Sequence, residues 1–422
     1  MLHNATFFAA GVLHSRFRKA PVSDLYRSDD SSPSRPGNGP AAASAELVVL
    51  TERPPAAEAT PAPPSTAQRD AARGTEARTA RSSPFPPAGF WRDLGLHILI
   101  PFFLAAGMGL AYLGAFHEPA PNYLAIGVVG AGTEAEVFAQ RLNDSAPGEL
   151  DVRTVADAGQ ARRLMTDREI SAAYEPGEHD ATLYVASAAS ATTAEVAKKI
   201  FLPVAYDAGL PLEVVDVVPT NEHDPTSQGL FFLLVGMSVG GYSSAVAISA
   251  VAGRVSVLWR AAVSLASSAA VAAMGVIIAG PVYGILESGC WGIWLLSWLY
   301  VSTITVLGVA MYPMLRKWTT PTLTLLFVML NFTSSGGIFT AETLPPFFAA
   351  LGTFWNGAAW LDAAQSLVYF PGRPFGMDGL KLAIWLAGGA GLLGLTHLWS
   401  VRRTRLADEL ARAREDEEGI AA

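Results

Sequence analysis

Long apolar stretches alternate with short polar segments over the last three quarters of the chain. Six of them reach the roughly 20 residues that a helix needs to cross the hydrocarbon core of a bilayer. None of the six carries a charged residue in its interior. The sequence therefore predicts six transmembrane helices. Their expected ranges are residues 94–116, 229–252, 261–286, 291–315, 319–340 and 380–401.

Charged residues in the short loops orient these predicted helices. Arg92 precedes the first helix, Arg254 and Arg260 lie between the second and third, and basic residues follow the fourth and sixth. The opposite loops are mainly acidic. Loops rich in Lys and Arg stay in the cytoplasm by the positive-inside rule. The sequence thus predicts a polytopic α-helical membrane protein with both termini cytoplasmic.

Residues 117–228, between the first two apolar stretches, follow a different pattern. The runs LAIGVV, LDVRTV, ATLYVA and LEVVDVV have strand character and alternate with helical runs such as EAEVFAQRL. This alternation predicts a large extracytoplasmic α/β domain. The region holds 18 acidic and 7 basic residues. Domains of this size are translocated regardless of charge, so the acidity reflects solubility more than topology. An anionic field that attracts cationic substrates is the alternative.

The two ends of the chain are predicted to be tails in the cytoplasm. Residues 1–90 are rich in Pro, Ala and Ser and lack apolar periodicity. Such a segment cannot bury enough apolar surface to offset the entropy lost on ordering, so we expect it to be disordered. Residues 402–422 form the second expected tail.

After the fifth apolar stretch the chain turns polar and then apolar again, without a basic loop. Two apolar pieces over residues 343–370 are each too short to span a bilayer. We expect a re-entrant or interfacial helix pair in the outer leaflet; an amphipathic loop on the membrane surface is the alternative. The aromatic residues expected at the headgroup level are Trp355, Trp360, Tyr369 and Phe370.

Composition agrees with a membrane protein and narrows its chemistry. Hydrophobic residues make up 51% of the chain and charged residues 16%, against about 25% charged residues in soluble domains. A net charge of −8 argues against nucleic-acid binding. The chain has no G-x-x-x-x-G-K-[ST] motif, so it lacks a P-loop for ATP. We expect neither an enzyme nor a cofactor or metal site.

Two short motifs have ordinary structural interpretations. GAGTEA, from Gly130 to Ala135, matches the dinucleotide-binding pattern G-x-G-x-x-A, but it lies in the outer domain and is better explained as a strand-to-helix turn. NEHDP, from Asn221 to Pro225, groups two carboxylates and a histidine. A metal site needs further ligands at defined spacing, so a turn is favoured.

Small residues and a proline predict how the helices pack. Glycines in the second helix allow close approach of a neighbouring helix, and a Gly-Pro pair in the third can break or kink it. The residues assigned to helix packing are Gly240, Gly241, Tyr242, Gly280 and Pro281.

Three stretches together carry a family resemblance. They are VVDVVPTNEHDPTSQGLFFLLVGMSVGGY, NFTSSGGIFTAETLPPFF and NGAAWLDAAQSLVYFPG. They resemble the start of the second helix, the N-P-[ST]-S-G-G…L-P segment and the outer helices of ABC-2 type transporter permeases related to the phage infection (YhgE/Pip) family. The order of one helix, a large outer domain and five more helices is also similar to that family.

The resemblance implies the membrane-spanning permease subunit of an ATP-driven exporter. Such a subunit dimerises with a second permease copy, identical or not, and binds separate ABC ATPase subunits. The resemblance places ATPase contacts before the first helix and in the loop between the second and third. The candidate coupling residues are Arg92, Arg254, Trp259 and Arg260. The candidate outer-gate residues are Gly336, Gly337, Pro345, Pro346 and Asp362.

A different class of function stays open at this point. The chain could be a membrane-anchored envelope or phage-receptor-like scaffold whose outer domain binds a surface partner. An ATPase gene beside this one would favour transport, and its absence would favour the scaffold. A proton-coupled pump ranks third, because such pumps need carboxylates or histidines within the membrane.

Overall fold

The computed structural model describes residues 89–117, 119–251 and 255–421. All of these residues belong to one unit, Ser83–Ala422. The expected disordered tail up to residue 88 lies outside the described residues, as do Glu118 and the coupling candidate Arg254.

Five helices are long and apolar enough to cross a membrane. They are Phe90–Phe116, Gly229–Val251, Val257–Val282, Cys290–Ser334 and Gly376–Arg414. The prediction of a mostly helical protein with apolar, membrane-compatible helices is therefore confirmed. Five helices account for six predicted stretches because Cys290–Ser334 contains the fourth and most of the fifth, whose predicted range reaches residue 340.

The helices are numbered in chain order, and the sheet region lies between the first and the fifth of them. In chain order they are α1 (Phe90–Phe116), α2 (Thr133–Ser145), α3 (Ala158–Thr166), α4 (Ala191–Asp207), α5 (Gly229–Val251), α6 (Val257–Ile277), α7 (Cys290–Leu315), α8 (Thr319–Thr324), α9 (Leu330–Ser334), α10 (Pro346–Gly352), α11 (Asn356–Tyr369) and α12 (Gly376–Ala421). Two π-helical segments, Ile278–Val282 and Leu325–Met329, extend α6 and join α8 to α9.

The 45-residue stretch Cys290–Ser334 folds back on itself at Arg316. Arg316 has φ 47° and ψ −111°, which is outside helical geometry, and a 3-10 turn follows it. Asn331 Nδ2 donates a hydrogen bond of 2.7 Å to the phenol oxygen of Tyr300. Because Tyr300 and Asn331 lie at nearly equal chain distances from Arg316, this contact requires α7 and the α8–α9 segment to run antiparallel.

The region between α1 and α5 contains a mixed five-stranded sheet, which confirms the predicted α/β region. Its strands are β1 (Leu124–Val129), β2 (Leu150–Val155), β3 (Ala172–Pro176), β4 (Ala181–Val185) and β5 (Leu212–Asp216). The spatial order is β2-β1-β3-β4-β5. Strand β1 pairs in parallel with β2 and β3, β3 pairs antiparallel with β4, and β4 pairs in parallel with β5.

Helices cover both faces of this sheet. Alternate residues of a strand point to opposite faces, and β1 shows this directly: Ile126 joins one hydrophobic cluster and Val129 the other. The cluster around Ile126 includes residues of α2 and α4, such as Phe201. The cluster around Val129 includes Met165 of α3. The domain therefore has three layers.

The central strand β3 is missing from the sequence prediction. Its sequence is AAYEP, with two alanines and a terminal proline, residues that are depleted in strands. In the structure, Ala172 and Ala173 are fully buried between β1 and β4. The small side chains suit a strand covered on both faces, and this packing is not visible as a local pattern.

Helix α11 is buried against the other helices rather than placed at their surface. Trp360 is fully buried, and its indole N–H donates to Ser297 Oγ at 3.2 Å. Phe370 is also fully buried, and Trp355 is 8% exposed. These three aromatic side chains are therefore covered by protein rather than exposed at the surface of the helices, and their place at the headgroup level stays a prediction. An apolar run alone does not reveal whether lipid or protein covers it.

Helix α12 is the longest element. It has 46 residues, which corresponds to about 69 Å at 1.5 Å per residue. It extends well beyond the sixth predicted span, residues 380–401, because Arg and Glu residues after that span continue the helical conformation.

Candidate functional site

A polar cavity of about 320 Å³ lies between the α/β domain and one end of the long apolar helices. The domain contributes the loop after α3 and the first turn of α4. The helical part contributes the segment after α9, helices α10 and α11, and the start of α12. The charged residues that line this cavity, called the domain-facing cavity below, are Arg168, Glu342, Asp362, Arg373 and Lys381.

Arg168 connects the domain to α11 across the cavity. One guanidinium nitrogen lies 3.3 Å from Asp362 Oδ1, and the guanidinium carbon lies 5.6 Å from the centre of the Phe370 ring. Arg168 has a positive φ of 58°, at a turn where its backbone N–H donates to Met165 O.

Glu342 forms a second connection from the helical side to the domain. Its carboxylate accepts hydrogen bonds from Ser171 Oγ and from the Ala125 N–H, the latter at 3.4 Å. Its carbonyl accepts a hydrogen bond of 2.7 Å from the Asn122 N–H. Burial raises the pKa of the Glu342 carboxyl, and the bonds from Ser171 and Ala125 and the nearby Arg168 charge partly oppose this shift.

The first turn of α4 makes a third set of contacts with the segment after α9. Thr192 Oγ1 donates to the Ile338 carbonyl, and Thr193 Oγ1 lies 3.0 Å from Thr340 Oγ1. Nearby, Gln365 Nε2 of α11 donates to the Ala189 carbonyl at 3.3 Å. The domain is therefore held to the helices by polar contacts that surround the cavity.

The Asp362 side chain lines the domain-facing cavity and is partly open to it. Its side chain is 39% exposed, and protein surrounds it beyond the cavity wall. Burial raises the pKa of the Asp362 carboxyl, while the charge of Arg168 opposes the shift. Cavity water reaches this carboxylate, so the Arg168–Asp362 pair is only partly shielded.

The two remaining cations differ in how they are paired. Lys381 Nζ lies 3.0 Å from Asp378 Oδ1. Arg373 donates from Nη1 to Ser366 Oγ at 2.9 Å, and among the described residues no carboxylate lies within ion-pair distance of it. Ser335 also lines the cavity; it is 3% exposed, and its hydroxyl has no hydrogen-bond partner in the described part of the chain.

A group of buried polar side chains continues from the cavity into the helices. Ser238 Oγ lies 2.6 Å from Tyr300 Oη, and Asn331 donates to the same phenol. Asn356 Nδ2 donates to Thr303 Oγ1 at 3.1 Å. These bonds join α5, α7, α9 and α11. Burying a polar group in an apolar region is costly unless it forms hydrogen bonds. These bonds therefore fix the register of the four helices relative to one another.

The gate candidates from the sequence fall into two groups. Gly336 and Asp362 both line the domain-facing cavity. Gly337 lies against α5, where an added Cβ would be 2.1 Å from Cδ2 of Phe231. Pro345 caps α10 and Pro346 begins it, as suits a residue without an N–H at the first helical position. Their role in gating stays a prediction.

The packing candidates lie at close helix contacts. A Cβ on Gly240 would be 2.7 Å from Val271 of α6, and one on Gly241 would be 3.2 Å from Ile304 of α7. Tyr242 packs against the same hydrophobic core. Gly280 and Pro281 belong to the π-helical end of α6, where the proline interrupts regular α-helical hydrogen bonding.

The described coupling candidates lie away from the α/β domain; Arg92 and Trp259 are exposed, and Arg260 is half-buried. Arg92 is next to Asp93, with 3.4 Å between the charged groups. Trp259 is 66% exposed, and Arg260 donates to the Val255 carbonyl. They begin α1 and α6, whose other ends approach the domain side: Phe116 packs on Phe339, and Gly284 accepts from Asn221.

The two motifs with ordinary interpretations form turns. GAGTEA joins β1 to α2, with positive φ angles at Gly130 and Gly132. In the NEHDP stretch, Asn221 Oδ1 accepts from the His223 N–H, and Asp224 Oδ2 accepts from the Gly229 N–H at the start of α5. Within the described residues, no group of three His, Cys, Asp or Glu side chains could hold a metal ion.

Several cavity residues were not singled out from the sequence. Arg168 is one of seven basic residues in a soluble-looking domain, and nothing local marks it. Glu342 offers a signal, because it is an isolated acid between two apolar segments. Its bonds to Ser171 and Ala125 explain how such an acid is accommodated.

Comparisons with known proteins identify no relative of this chain. No protein-family model, no curated protein and no solved structure matches it significantly.

Proposed function

We propose that this chain is the permease subunit of an ATP-driven ABC-2 type exporter in a bacterial plasma membrane. It would act as a dimer with separate ATP-hydrolysing subunits. The observation that carries the proposal is the distribution of features along the membrane helices. A polar cavity closed by an α/β domain lies at one end, and exposed basic and aromatic side chains of α1 and α6 lie at the other.

The proposed topology has six membrane crossings and two cytoplasmic termini. Helix α7 and the α8–α9 segment would each cross once, because they run antiparallel on either side of Arg316. The basic residues Arg316 and Lys317 would then lie on the cytoplasmic side. The α/β domain and the domain-facing cavity would lie outside.

In the proposed mechanism the cavity and α10–α11 form the outer gate. ATP binding to the partner subunits would move the cytoplasmic ends of the helices together. The contacts of Arg168 with Asp362, and of Thr193 with Thr340, would separate when the outer end opens. These contacts suit a gate because they are few, polar and reached by cavity water.

An affinity pull-down tests this function. The tagged full-length protein is purified from its native membrane in mild detergent, and the proteins that accompany it are identified. A P-loop ATPase at equal stoichiometry is the expected result. Repeated absence of an ATPase, with surface or envelope proteins in its place, would overturn the exporter proposal and support the scaffold alternative.

Charge reversal in the loop between α5 and α6 tests whether this loop binds the ATPase. We expect replacement of both Arg254 and Arg260 by Glu to release the ATPase while membrane insertion is retained. The matched control is Arg141→Glu, because Arg141 is an exposed arginine of the α/β domain. Equal ATPase recovery from the two variants would show that the loop between α5 and α6 is not the docking site.

A further inference from the structure

An apolar groove of about 440 Å³ adjoins the domain-facing cavity along α12. Its lining includes Leu307, Phe354, Ile384, Trp385 and Gly388. Lys381 lines both the groove and the cavity. The two spaces therefore meet at Lys381, one with a polar lining and the other with an almost entirely apolar lining.

One lining cation of the polar space has no carboxylate partner among the described residues. The lining carboxylate without a cation partner, Glu342, is instead hydrogen-bonded to Ser171 and Ala125 of the domain. Arg168 is paired with Asp362, and Lys381 with Asp378. Arg373 is the lining cation for which the described residues supply no carboxylate partner. The buried Ser335 hydroxyl, without a partner among the described residues, adds a hydrogen-bonding group. An anionic group with acceptor oxygens satisfies both, since charged groups form the stronger hydrogen bonds.

The lining of the apolar groove suits a hydrocarbon chain. Ile384 is 62% exposed, and Trp385 keeps its indole N–H bonded to the Phe354 carbonyl, so its ring presents an apolar face. At Gly388 an added Cβ would have no atom within 4 Å. The absence of a side chain there leaves room that extends along α12, where burial of each CH₂ group stabilises a ligand by about 0.8 kcal/mol.

We infer that the cavity and groove together bind an amphiphile with a singly anionic head group. The head group lies in the domain-facing cavity near Arg373 and Ser335, and the acyl chain lies in the groove beside Ile384 and Gly388. Lys381 stands at the junction between head and chain. The inference rests on the proposed exporter function only in making this amphiphile the transported substrate; the binding itself does not depend on it.

Direct binding to the full-length protein tests the inference without ATP or a partner subunit. The protein is placed in phosphatidylcholine nanodiscs, and binding of radiolabelled lysophosphatidylglycerol is measured against empty nanodiscs. We expect unlabelled lysophosphatidylglycerol to compete well. Lysophosphatidylcholine, with a neutral head group, and glycerol phosphate, without an acyl chain, should each compete at least about tenfold less well, because each lacks one of the two interactions.

Two variants with matched controls locate the site. Arg373→Gln should weaken lysophosphatidylglycerol binding about tenfold, and Arg141→Gln should leave it unchanged. Gly388→Leu should fill the groove and weaken binding, whereas Gly391→Leu should not, because Gly391 has equally open surroundings on α12 and lies outside the groove lining. Thermal unfolding of each variant confirms that it is folded.

Three results would overturn the inference. Equal affinity of Arg373→Gln and Arg141→Gln would remove the anion site. Full competition by glycerol phosphate would indicate a site for free anions rather than amphiphiles. Equal binding by Gly388→Leu and Gly391→Leu would remove the groove. An ATPase recovered in the pull-down alongside any of these results would leave the exporter function standing.

Discussion

Gly337 allows the segment after α9 to pass directly against α5. A Cβ atom at this position would lie 2.1 Å from Cδ2 of Phe231 and 2.6 Å from its Cβ. Because the conflict reaches the Cβ of Phe231, rotation of the ring does not relieve it. The glycine is therefore a packing requirement at the place where helix α5 supports the cavity wall.

We expect Gly337→Ala to lower the free energy of unfolding by about 1–3 kcal/mol, the usual cost of overpacking. The measurement is the thermal unfolding midpoint of the purified protein in detergent. Gly236→Ala is the control, because that α5 position is open and alanine favours helix over glycine. An unchanged midpoint for Gly337→Ala would contradict the close contact.

Glu342 makes stability depend on pH. Burial raises the pKa of its carboxyl above the ordinary value of 4.5. Between pH 4.5 and the folded pKa, the folded protein therefore holds a proton that the unfolded chain has lost, and stability falls as pH rises through this window. We expect the unfolding midpoint of the wild type to fall with rising pH in this window more than that of Glu342→Gln.

The control for this pH series is Glu195→Gln, because the Glu195 side chain is 65% exposed. The decrease of the unfolding midpoint with rising pH should be smaller in Glu342→Gln than in the wild type. It should not disappear, since burial also raises the pKa values of Asp224 and Asp362. Identical slopes for Glu342→Gln and the wild type would show that Glu342 does not titrate differently on folding.

At the scale of elements, the proposed topology of six membrane crossings depends on the reversal at Arg316. Single cysteines are placed in a Cys290→Ser background at Glu287, Lys317 and Phe347, which flank α7 and the α8–α9 segment. In intact cells we expect a membrane-impermeant thiol reagent to label the first and third positions, and to label position 317 only after permeabilisation. If the cysteines at positions 287 and 347 were labelled from opposite sides of the membrane, the chain between them would cross the membrane only once.

The helices and most strands are predictable from the sequence because their signals are local. Apolar length marks α5 and α7, and strand-like runs mark four of the five strands. Strand β3 and the burial of Trp360 are different, since both depend on which elements cover them. A short apolar segment has the same composition whether protein or lipid surrounds it.

The cavity is predictable only in part for the same reason. Gly336 and Asp362 stand in an outer segment whose interruption of an apolar run is visible in the sequence. Arg168 lies almost two hundred residues earlier along the chain. Its contact with Asp362 arises from how the α/β domain docks, and no pattern around either residue carries that information.

At the scale of the whole molecule, the contact between α4 and the segment after α9 should control opening of the outer gate in the proposed exporter. Thr193 and Thr340 hydroxyls lie 3.0 Å apart, so cysteines at both positions are within reach of a disulfide. In a Cys290→Ser background, we expect oxidation to abolish most of the ATPase activity of the assembled complex, and reduction to restore it.

A disulfide within the domain provides the comparison for this cross-link. Ser187 Oγ accepts a hydrogen bond of 3.2 Å from the Thr220 N–H, and cysteines at these two positions join parts of the α/β domain only. Oxidation of this pair should leave ATPase activity nearly unchanged. Full activity in the oxidised Thr193–Thr340 pair would show that the domain does not move during turnover.

The unbroken length of α12 has a mechanical consequence. One end of this helix carries Lys381 at the cavity, and the other continues to Ala421, about 69 Å along a single rod. A rod of this length acts as a lever: a tilt of roughly 10° displaces its far end by about 12 Å relative to its near end. A small tilt of α12 in response to a ligand in the cavity would therefore displace the C-terminal end of the helix by a large distance.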